Sequence, residues 1–365
     1  AAFAQAGAKY DPNTPLPGGE AEVNAWVSIK PDDTVYIRIA RSEMGQGTRT
    51  GLAQLVTEEL ECNWKKVRTE SATPGQSLAR KRVWGEHGTG GSRGIRISED
   101  YVRRGAAAAR IMLMQAAADQ WNVPVSELKV DKGVITHIPT GRKTTYGKVA
   151  QLASTLTPPD PKSITLRNPR DWKVAGQPYA RLDTANKVNG SKVYGVDLQL
   201  PGMLCASIKA CPVFGGKLVS YDEAKIQNMR GVKGVVKIND STLAVVADTW
   251  WHANSALKAL PIVWDEGKSA NVSQDGINKM LREGLDEQGD FWQRKVGDAP
   301  QAINNSAKKV EAIYFTPFRA HVTMEPMNAT VKITGDRAEA WVPTQNGEGS
   351  LAALSEATGF PLANC

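Results

Sequence analysis

The chain has 365 residues, enough for two or three domains with their own cores, and its 41% hydrophobic and 23% charged residues are those of an ordinary globular protein. No apolar run approaches the roughly 18 residues that cross a bilayer as a helix. The net charge is +7, but the basic residues are dispersed apart from Arg80-Lys81-Arg82; a nucleic-acid protein gathers them into a stripe, so nucleic acid is not an expected partner.

In chain order, Val23, Ala25, Val27 and Ile29 alternate with polar neighbours, Pro31-Asp32-Asp33 turns the chain, and Val35, Ile37 and Ile39 alternate again. This predicts a β-hairpin with one buried face. The loop Met44-Gly45-Gln46-Gly47 follows, then a helix over about 50–61 with Leu52, Leu55, Val56 and Leu60 at helical spacing. A second glycine-rich loop, Gly88-Thr89-Gly90-Gly91-Ser92-Arg93-Gly94, precedes a long Ala-rich helix that Ser98, Glu99 and Asp100 open and that runs to about Trp121. Short strands are expected within 125–136 and a helix over 146–153. Residues 154–181 carry Pro158, Pro159, Pro161, Pro169 and Pro178 without periodicity and read as a linker.

Beyond it, strands are expected at 193–200, 203–210, 232–238 and 242–248, with helices near 222–227 and 250–260. A helix over 273–285, the stretches 310–315 and 317–328, a hairpin of 330–333 with 338–342 around Gly335-Asp336, and a helix to about Ala357 closed by Gly359 complete the chain. The fold class is therefore α/β to α+β and multidomain.

The four cysteines, Cys62, Cys205, Cys211 and Cys365, form no C-x-x-C, and the four histidines, His87, His137, His252 and His321, are far apart. A zinc or iron–sulfur site made by this chain is not expected. In one extended strand Cys205 and Cys211 would stand roughly 20 Å apart, too far to bridge. The small residues Ala1-Ala2-Phe3-Ala4-Gln5-Ala6 resemble the tail of a removed export signal, or a flexible start.

Two loops of glycine, amide and hydroxyl residues before helices suggest a composite cradle for an anionic or hydrogen-bond-rich cofactor. Taken alone, Gly45-x-Gly47-x-x-x-Gly51 with Glu70 about twenty residues on could also be a dinucleotide fingerprint, pointing to a nicotinamide-dependent dehydrogenase. Against it, residues 40–44 separate strand and glycine. Each residue also has a structural use: Gly45 and Gly47 as turn glycines, Thr89 and Ser92 as loop hydroxyls, Gln345 as a satisfied amide.

Four stretches together resemble the molybdopterin-binding large subunit of the xanthine oxidase family of molybdenum hydroxylases. They are Glu43-Met44-Gly45-Gln46-Gly47 before a helix; Thr89-Gly90-Gly91-Ser92 before an Ala-rich helix; the module from Arg181-Leu182-Asp183 through Pro201-Gly202-Met203-Leu204 to Ala244-Val245-Val246-Ala247; and His321 to Asn328 followed by Pro343-Thr344-Gln345-Asn346. Their order is that of the permuted, exported branch typified by the isoquinoline 1-oxidoreductase large chain and the membrane-associated aldehyde dehydrogenases of acetic acid bacteria.

The resemblance implies a molybdopterin-binding lobe over 1–155, a linker over 156–180, an a/b hammerhead domain over 181–268, and the beginning of a second molybdopterin-binding lobe over 269–365. It implies that Met44, Gly45, Gln46 and Gly47 lie against a molybdenum-pyranopterin cofactor, in the cytosine dinucleotide form expected of bacterial members. Thr89, Gly90, Gly91 and Ser92 would bind pterin or phosphate oxygens, and Gln345 would hydrogen-bond an oxygen on molybdenum. Glu325 would form a wall of the cavity and not the base. The metal's soft sulfur ligands come with the cofactor, so the protein needs only neutral donors and close backbone approach.

The family's Gly-Gly-Gly-Phe-Gly loop and its Gly-Glu, which carries the catalytic base, have no counterpart in these residues, so a further polypeptide is expected to supply them. The implied partners are that polypeptide, a 2Fe-2S subunit that carries the iron–sulfur clusters, and a cytochrome c. The implied substrate is an aldehyde or N-heteroaromatic, and the implied location periplasmic, at the inner membrane through partners. A non-catalytic scaffold role is the alternative from another class.

Overall fold

In a computed structural model, residues 20–287 and 296–365 are described; the export-signal resemblance at Ala1 to Ala6 lies outside them. Contacts divide the chain into two units, one of residues up to Leu198 with Val322–Cys365, the other Gln199–His321. Helix and strand are mixed in both, as the sequence leads one to expect.

In the first unit, β1 (Ala21–Asn24), β2 (Val27–Ile29), β3 (Val35–Ile39) and β4 (Val67–Ser71) form one sheet in that order. β1–β2 and β2–β3 are antiparallel, while β3–β4 is parallel and needs a crossover, which α1 (Thr48–Leu60) provides. Val27, Ile29, Val35, Ile37, Ile39, Leu52, Val56, Leu60 and Val67 meet in the core beneath it.

The single strand expected over 23–29 is broken at Ala25-Trp26. Asn24 Oδ1 accepts from Trp26 N at 2.9 Å and Val27 N at 3.2 Å, and this local turn overrides the alternation. Trp26 is thereby buried against the helix Glu99–Trp121, where a Cβ at Gly105 would stand 2.4 Å from its ring.

After α2 (Pro74–Ala79), α3 (Glu99–Trp121) buries Ala106, Ala109, Leu113, Ala116 and Ala117. Small side chains there let α1 approach closely. β5 (Leu128–Asp131), β6 (Val134–His137) and β7 (Lys143–Thr145) form an antiparallel sheet, and α4 (Tyr146–Ala153) follows.

The proline-rich stretch is irregular, as expected, but it is docked. Glu58 Oε2 on α1 accepts from the N–H groups of Lys173, Val174 and Ala175 at 2.8, 2.7 and 3.2 Å. Glu59, whose side chain is 0% exposed, takes Arg103 Nε and Nη2 at 2.9 and 2.8 Å and Arg167 N at 3.2 Å. Arg103 Nη2 also donates to the Arg167 carbonyl.

Next comes the short α5 (Ala185–Val188). The strand expected over 193–200 is absent: Tyr194 N donates to Asp197 Oδ2 at 3.0 Å and Gly195 N to Glu325 Oε1 at 2.8 Å, engaging N–H groups a ladder would need.

All four cysteines are free thiols. Burial pushes the Cys62 thiol up to about 12, so it is expected to resist thiol reagents until the first unit unfolds. Labelling across a urea series should show Cys62 reacting only with the unfolding transition; labelling in native buffer as fast as Cys211 would contradict this.

The second unit contains β8 (Cys205–Ala210), β9 (Lys217–Tyr221), β10 (Val232–Asn239), β11 (Thr242–Ala247), α6 (Trp250–Ala259), β12 (Ile262–Asp265), α7 (Gln274–Glu283) and α8 (Ala299–Asn304). An antiparallel sheet β10-β11-β8 and an antiparallel pair β12-β9 surround a core of Ile226, Leu243, Val245, Ala256, Leu257 and Leu260. β9 and β12 are additional to the expected strands, and the helix expected near 222–227 is one 3-10 turn, Glu223–Lys225. Residues 310–315 form no strand, and Tyr314 is 92% exposed.

The chain returns to the first unit as the hairpin β13 (Thr330–Thr334) and β14 (Arg337–Trp341), then α9 (Gly347–Thr358), stopped by Gly359 at φ 71°. The resemblance implies boundaries at 155, 180 and 268; the two contact units divide the chain at 198 and 321, with residues 156–198 tied to α1 and to Glu325.

Candidate cofactor site

Within the first unit, segments far apart in sequence are tied together. Ser42 N donates to Thr89 Oγ1 at 2.9 Å and Ser42 Oγ to the Thr344 carbonyl at 2.8 Å. Thr89 and Gln345 bond reciprocally: Thr89 N reaches the Gln345 carbonyl and Gln345 Nε2 the Thr89 carbonyl, both at 2.8 Å. Around this knot lies a cavity of about 370 Å³ lined by Glu86, Gly88, Thr89, Gly90, Arg93, Gln345, Asn346 and Glu348. Glu348 pairs with Arg82, and Glu86 faces Arg93 at 3.9 Å.

The structure thus brings Thr89, Gly90 and Gln345 into one cavity, with Gly91 and Ser92 beside it on the same loop. Both are exposed and in the left-handed region, at φ 58° and 53°. Met44, Gly45, Gln46 and Gly47 do not line it.

At the 44–47 loop the N–H groups of Met44, Gly45 and Gly47 are already engaged. Glu43 Oε1 accepts from Gly45 N at 2.8 Å and Gly47 N at 3.0 Å, and Oε2 accepts from Arg49 N at 3.0 Å. Burial pushes the Glu43 carboxyl up, but the N–H groups of Arg49, Gly47 and Gly45 outweigh it and hold it below its ordinary value. Arg181 bonds Glu43 at 3.0 Å and the Gly45 carbonyl at 2.7 Å. Burial likewise pushes Asp183 up, yet Lys187 and Arg181 bring it down to about 2.

Gln46 is folded onto its own loop, with Nε2 on the Ser42 carbonyl at 2.9 Å and Oε1 accepting from Met44 N at 2.6 Å. Gly45 and Gly47 adopt φ 101° and 84°, which only glycine takes without strain, and a Cβ at either would meet nothing within 4 Å. Met44 is 53% exposed. Each primary amide of Gln46 and Gln345 therefore keeps one N–H without a partner among the described residues.

Glu325 serves as acceptor for Gly195 N. Glu70, the ribose acceptor of the dinucleotide reading, takes Arg38 Nε at 2.7 Å.

Sequence reasoning missed Glu43 and Arg41. Arg41 is buried, its Nε on Ser98 Oγ at 3.0 Å, Nη1 on the Gly88 carbonyl and Nη2 on Tyr101 Oη at 3.4 Å. A signal existed: Val35, Ile37, Ile39 and Arg41 share one face by the period of two.

No group of three or more His, Cys, Asp or Glu that could hold a metal ion occurs among the described residues. Neutral amides, hydroxyls and open glycine backbone suit a cofactor that brings its own metal ligands. They fit a molybdenum-pyranopterin.

Comparison agrees. Residues 2–198 match the molybdopterin cofactor-binding domain family. The beta chain of isoquinoline 1-oxidoreductase from Brevundimonas diminuta is 28% identical over 371 residues, covering 88% of this chain and 46% of that protein. The membrane-bound aldehyde dehydrogenase (pyrroloquinoline-quinone) of Gluconacetobacter polyoxogenes is 26% identical, covering 86% and 41%. A nicotinate dehydrogenase component of Pseudomonas putida is 27% identical, covering 90% and 27%. The chain spans less than half the length of each of these relatives. It belongs to the molybdopterin cofactor-binding family, among the molybdopterin-binding subunits of the xanthine oxidase family.

Proposed function

We propose that this chain is the cofactor-holding part of a molybdenum hydroxylase that oxidises an aldehyde or N-heteroaromatic carbon. The observation that carries this is the knot of Ser42, Thr89, Thr344 and Gln345, which sets a glycine–hydroxyl loop and a glutamine on one cavity. When bound, the cofactor, in its cytosine dinucleotide form, supplies two-electron oxidation with oxygen derived from water. The chain's own residues bind and orient. Gly90, Gly91, Ser92 and Thr89 would present backbone and hydroxyl groups to the cofactor, Gln345 would offer it its remaining amide N–H, and Met44, Gly45, Gln46 and Gly47 would form a second wall. The general base is supplied by a further polypeptide stretch.

Exposed apolar side chains support that need: Phe318, Met324 and Met327 are 73%, 100% and 92% exposed among the described residues. Electrons leave through a 2Fe-2S subunit and a cytochrome c, in an exported complex on the periplasmic side of the inner membrane. The nicotinamide reading is disfavoured, because Glu70 is held by Arg38 and the Gly45 and Gly47 N–H groups by Glu43.

Purified with its natural partners, the protein is expected to contain about one molybdenum and one pterin per copy of this chain. Bound nicotinamide without molybdenum would support the dehydrogenase instead, and neither would mark a scaffold.

A further inference from the structure

Apart from the cofactor residues, the first unit contains a second cavity, of about 130 Å³, where four segments meet. Its inner wall is Val35 of β3, Cys62 just past α1, Val134 of β6 and Tyr146 at the start of α4. Val35, Cys62 and Tyr146 are buried. Gly133 leaves part of the space: a Cβ there would stand 3.6 Å from the Tyr146 ring and 3.9 Å from Cys62 Cα. None of these residues lines the cavity at Thr89 and Gln345.

The polar groups of this wall are largely matched already. Tyr146 Oη donates to the Leu60 carbonyl at 2.7 Å. Gly133 N donates to the Glu61 carbonyl at 2.8 Å, and the Gly133 carbonyl accepts from Tyr146 N at 3.0 Å. Asp33 Oδ1 accepts from Gly147 N at 2.8 Å and Oδ2 from Lys66 Nζ at 3.3 Å, while Lys66 Nζ also holds the Asp32 carbonyl. Asn63 Oδ1 accepts from Lys65 N at 3.1 Å. Among the described residues, no buried side-chain nitrogen or oxygen of this wall lacks a partner. The other cation of the wall, Lys132, is exposed.

A water held inside a protein makes about three hydrogen bonds, and a buried ion needs an opposite charge. The inner wall offers neither. It offers two valine side chains, an aromatic ring and a thiol that burial keeps protonated, a soft apolar surface. Such a wall favours a compact uncharged ligand, through dispersion contacts and removal of its apolar surface from water. Size narrows the class further: an apolar cavity of roughly 150 Å³ accepts benzene or xenon, so this one has room for one six-membered ring and not for two.

We infer that this cavity is a binding site for a compact, uncharged single-ring aromatic molecule, with Val35, Cys62, Val134 and Tyr146 as its contact wall. The site shares no residue with the cofactor cavity, so it stands or falls apart from the molybdopterin reading. A ring seated there touches β3, β6 and α4 at once and ties the two sheets of the first unit to that helix.

The test uses the full chain with fluorobenzene as the probe, followed by fluorine NMR line broadening and by the melting temperature. Wild type should broaden the fluorobenzene line and melt a few degrees higher near saturation, because a ligand of the folded state stabilises it by mass action. Val134→Phe, which puts a ring of the protein's own into the cavity, should weaken binding about tenfold or more and remove the melting shift. Benzoate, the same ring with a charge, should bind about tenfold more weakly than fluorobenzene. A fluorobenzene line that wild type leaves unchanged overturns the proposal. So does folded Val134→Phe that binds within twofold of wild type, since the ring then sits elsewhere. Benzoate binding as tightly as fluorobenzene overturns the ligand class. If Val134→Phe does not fold, Cys62→Met, which lengthens a side chain into the same space, is held to the same twofold criterion.

Discussion

Arg103→Met is expected to lower the free energy of unfolding by about 3–5 kcal/mol, the penalty for leaving a buried carboxylate without its partner. Glu59 is entirely enclosed between α1, α3 and the proline-rich stretch, and Arg103 supplies two of its hydrogen bonds. Arg103 also lies over the Trp172 ring, 5.1 Å from its centroid, and holds the Arg167 carbonyl. Removing it strands Glu59 and releases the Arg167 carbonyl, leaving Glu58 as the anchor of residues 173–175. Because domains are stable by only about 5–15 kcal/mol, much of the total is at stake. Urea unfolding, with Cys62 reactivity as the local probe, measures it. The double variant Glu59→Leu with Arg103→Met should regain most of the loss, since neither charge then remains buried. A single-variant loss below about 1 kcal/mol would mean that the pair does not anchor the stretch.

The largest expected effect on the cofactor comes from Glu43→Ala. Three N–H groups and Arg181 converge on a carboxylate that is 6% exposed, and together they hold Gly45 and Gly47 at positive φ. Losing hydrogen bonds to a charged acceptor costs about 1.5–3 kcal/mol each in buried settings and less in a loop open to water. The loop should lose its single conformation, and retained pterin should fall about tenfold. Glu43→Gln keeps an acceptor for Gly45 and Gly47 but turns a donor toward Arg49 N, so it should fall between.

The same group sets a pH response. Its folded value lies below its unfolded one, so its contribution is complete above about pH 4.5 and fades as pH falls through the depressed value. Pterin release that begins at pH 6 would contradict this origin.

Periodic segments were legible. α1, α3, α4 and the β13–β14 hairpin emerge from apolar spacing and turn glycines, because their faces and caps are local properties. Alternation misled where a side chain had a stronger local bond, as Asn24 does at the break in the first strand and Asp197 does in the missing one. The burial of Glu58 and Glu59 was not legible, because nothing within ten residues announces that Lys173, Val174, Ala175 and Arg103 enclose them.

The candidate site was legible as a set of loops but not as an arrangement. Sequence shows a glycine–hydroxyl loop and a distant glutamine, while their reciprocal bonds arise only from the folded chain. Nor could sequence show that the Gly45 and Gly47 N–H groups close on Glu43, since that depends on the loop's folded conformation.

The knot at Thr89 and Gln345 also has a history in synthesis. Its halves are 256 residues apart, and at about 5–20 residues per second the ribosome takes roughly 10–50 s to bring out the second. Through that interval the sheet of β1–β4 with α1, α3 and α4 can fold, yet the cavity has only one wall. On the proposed reading, a cofactor could be seated between these two segments only after late translation brings out Gln345.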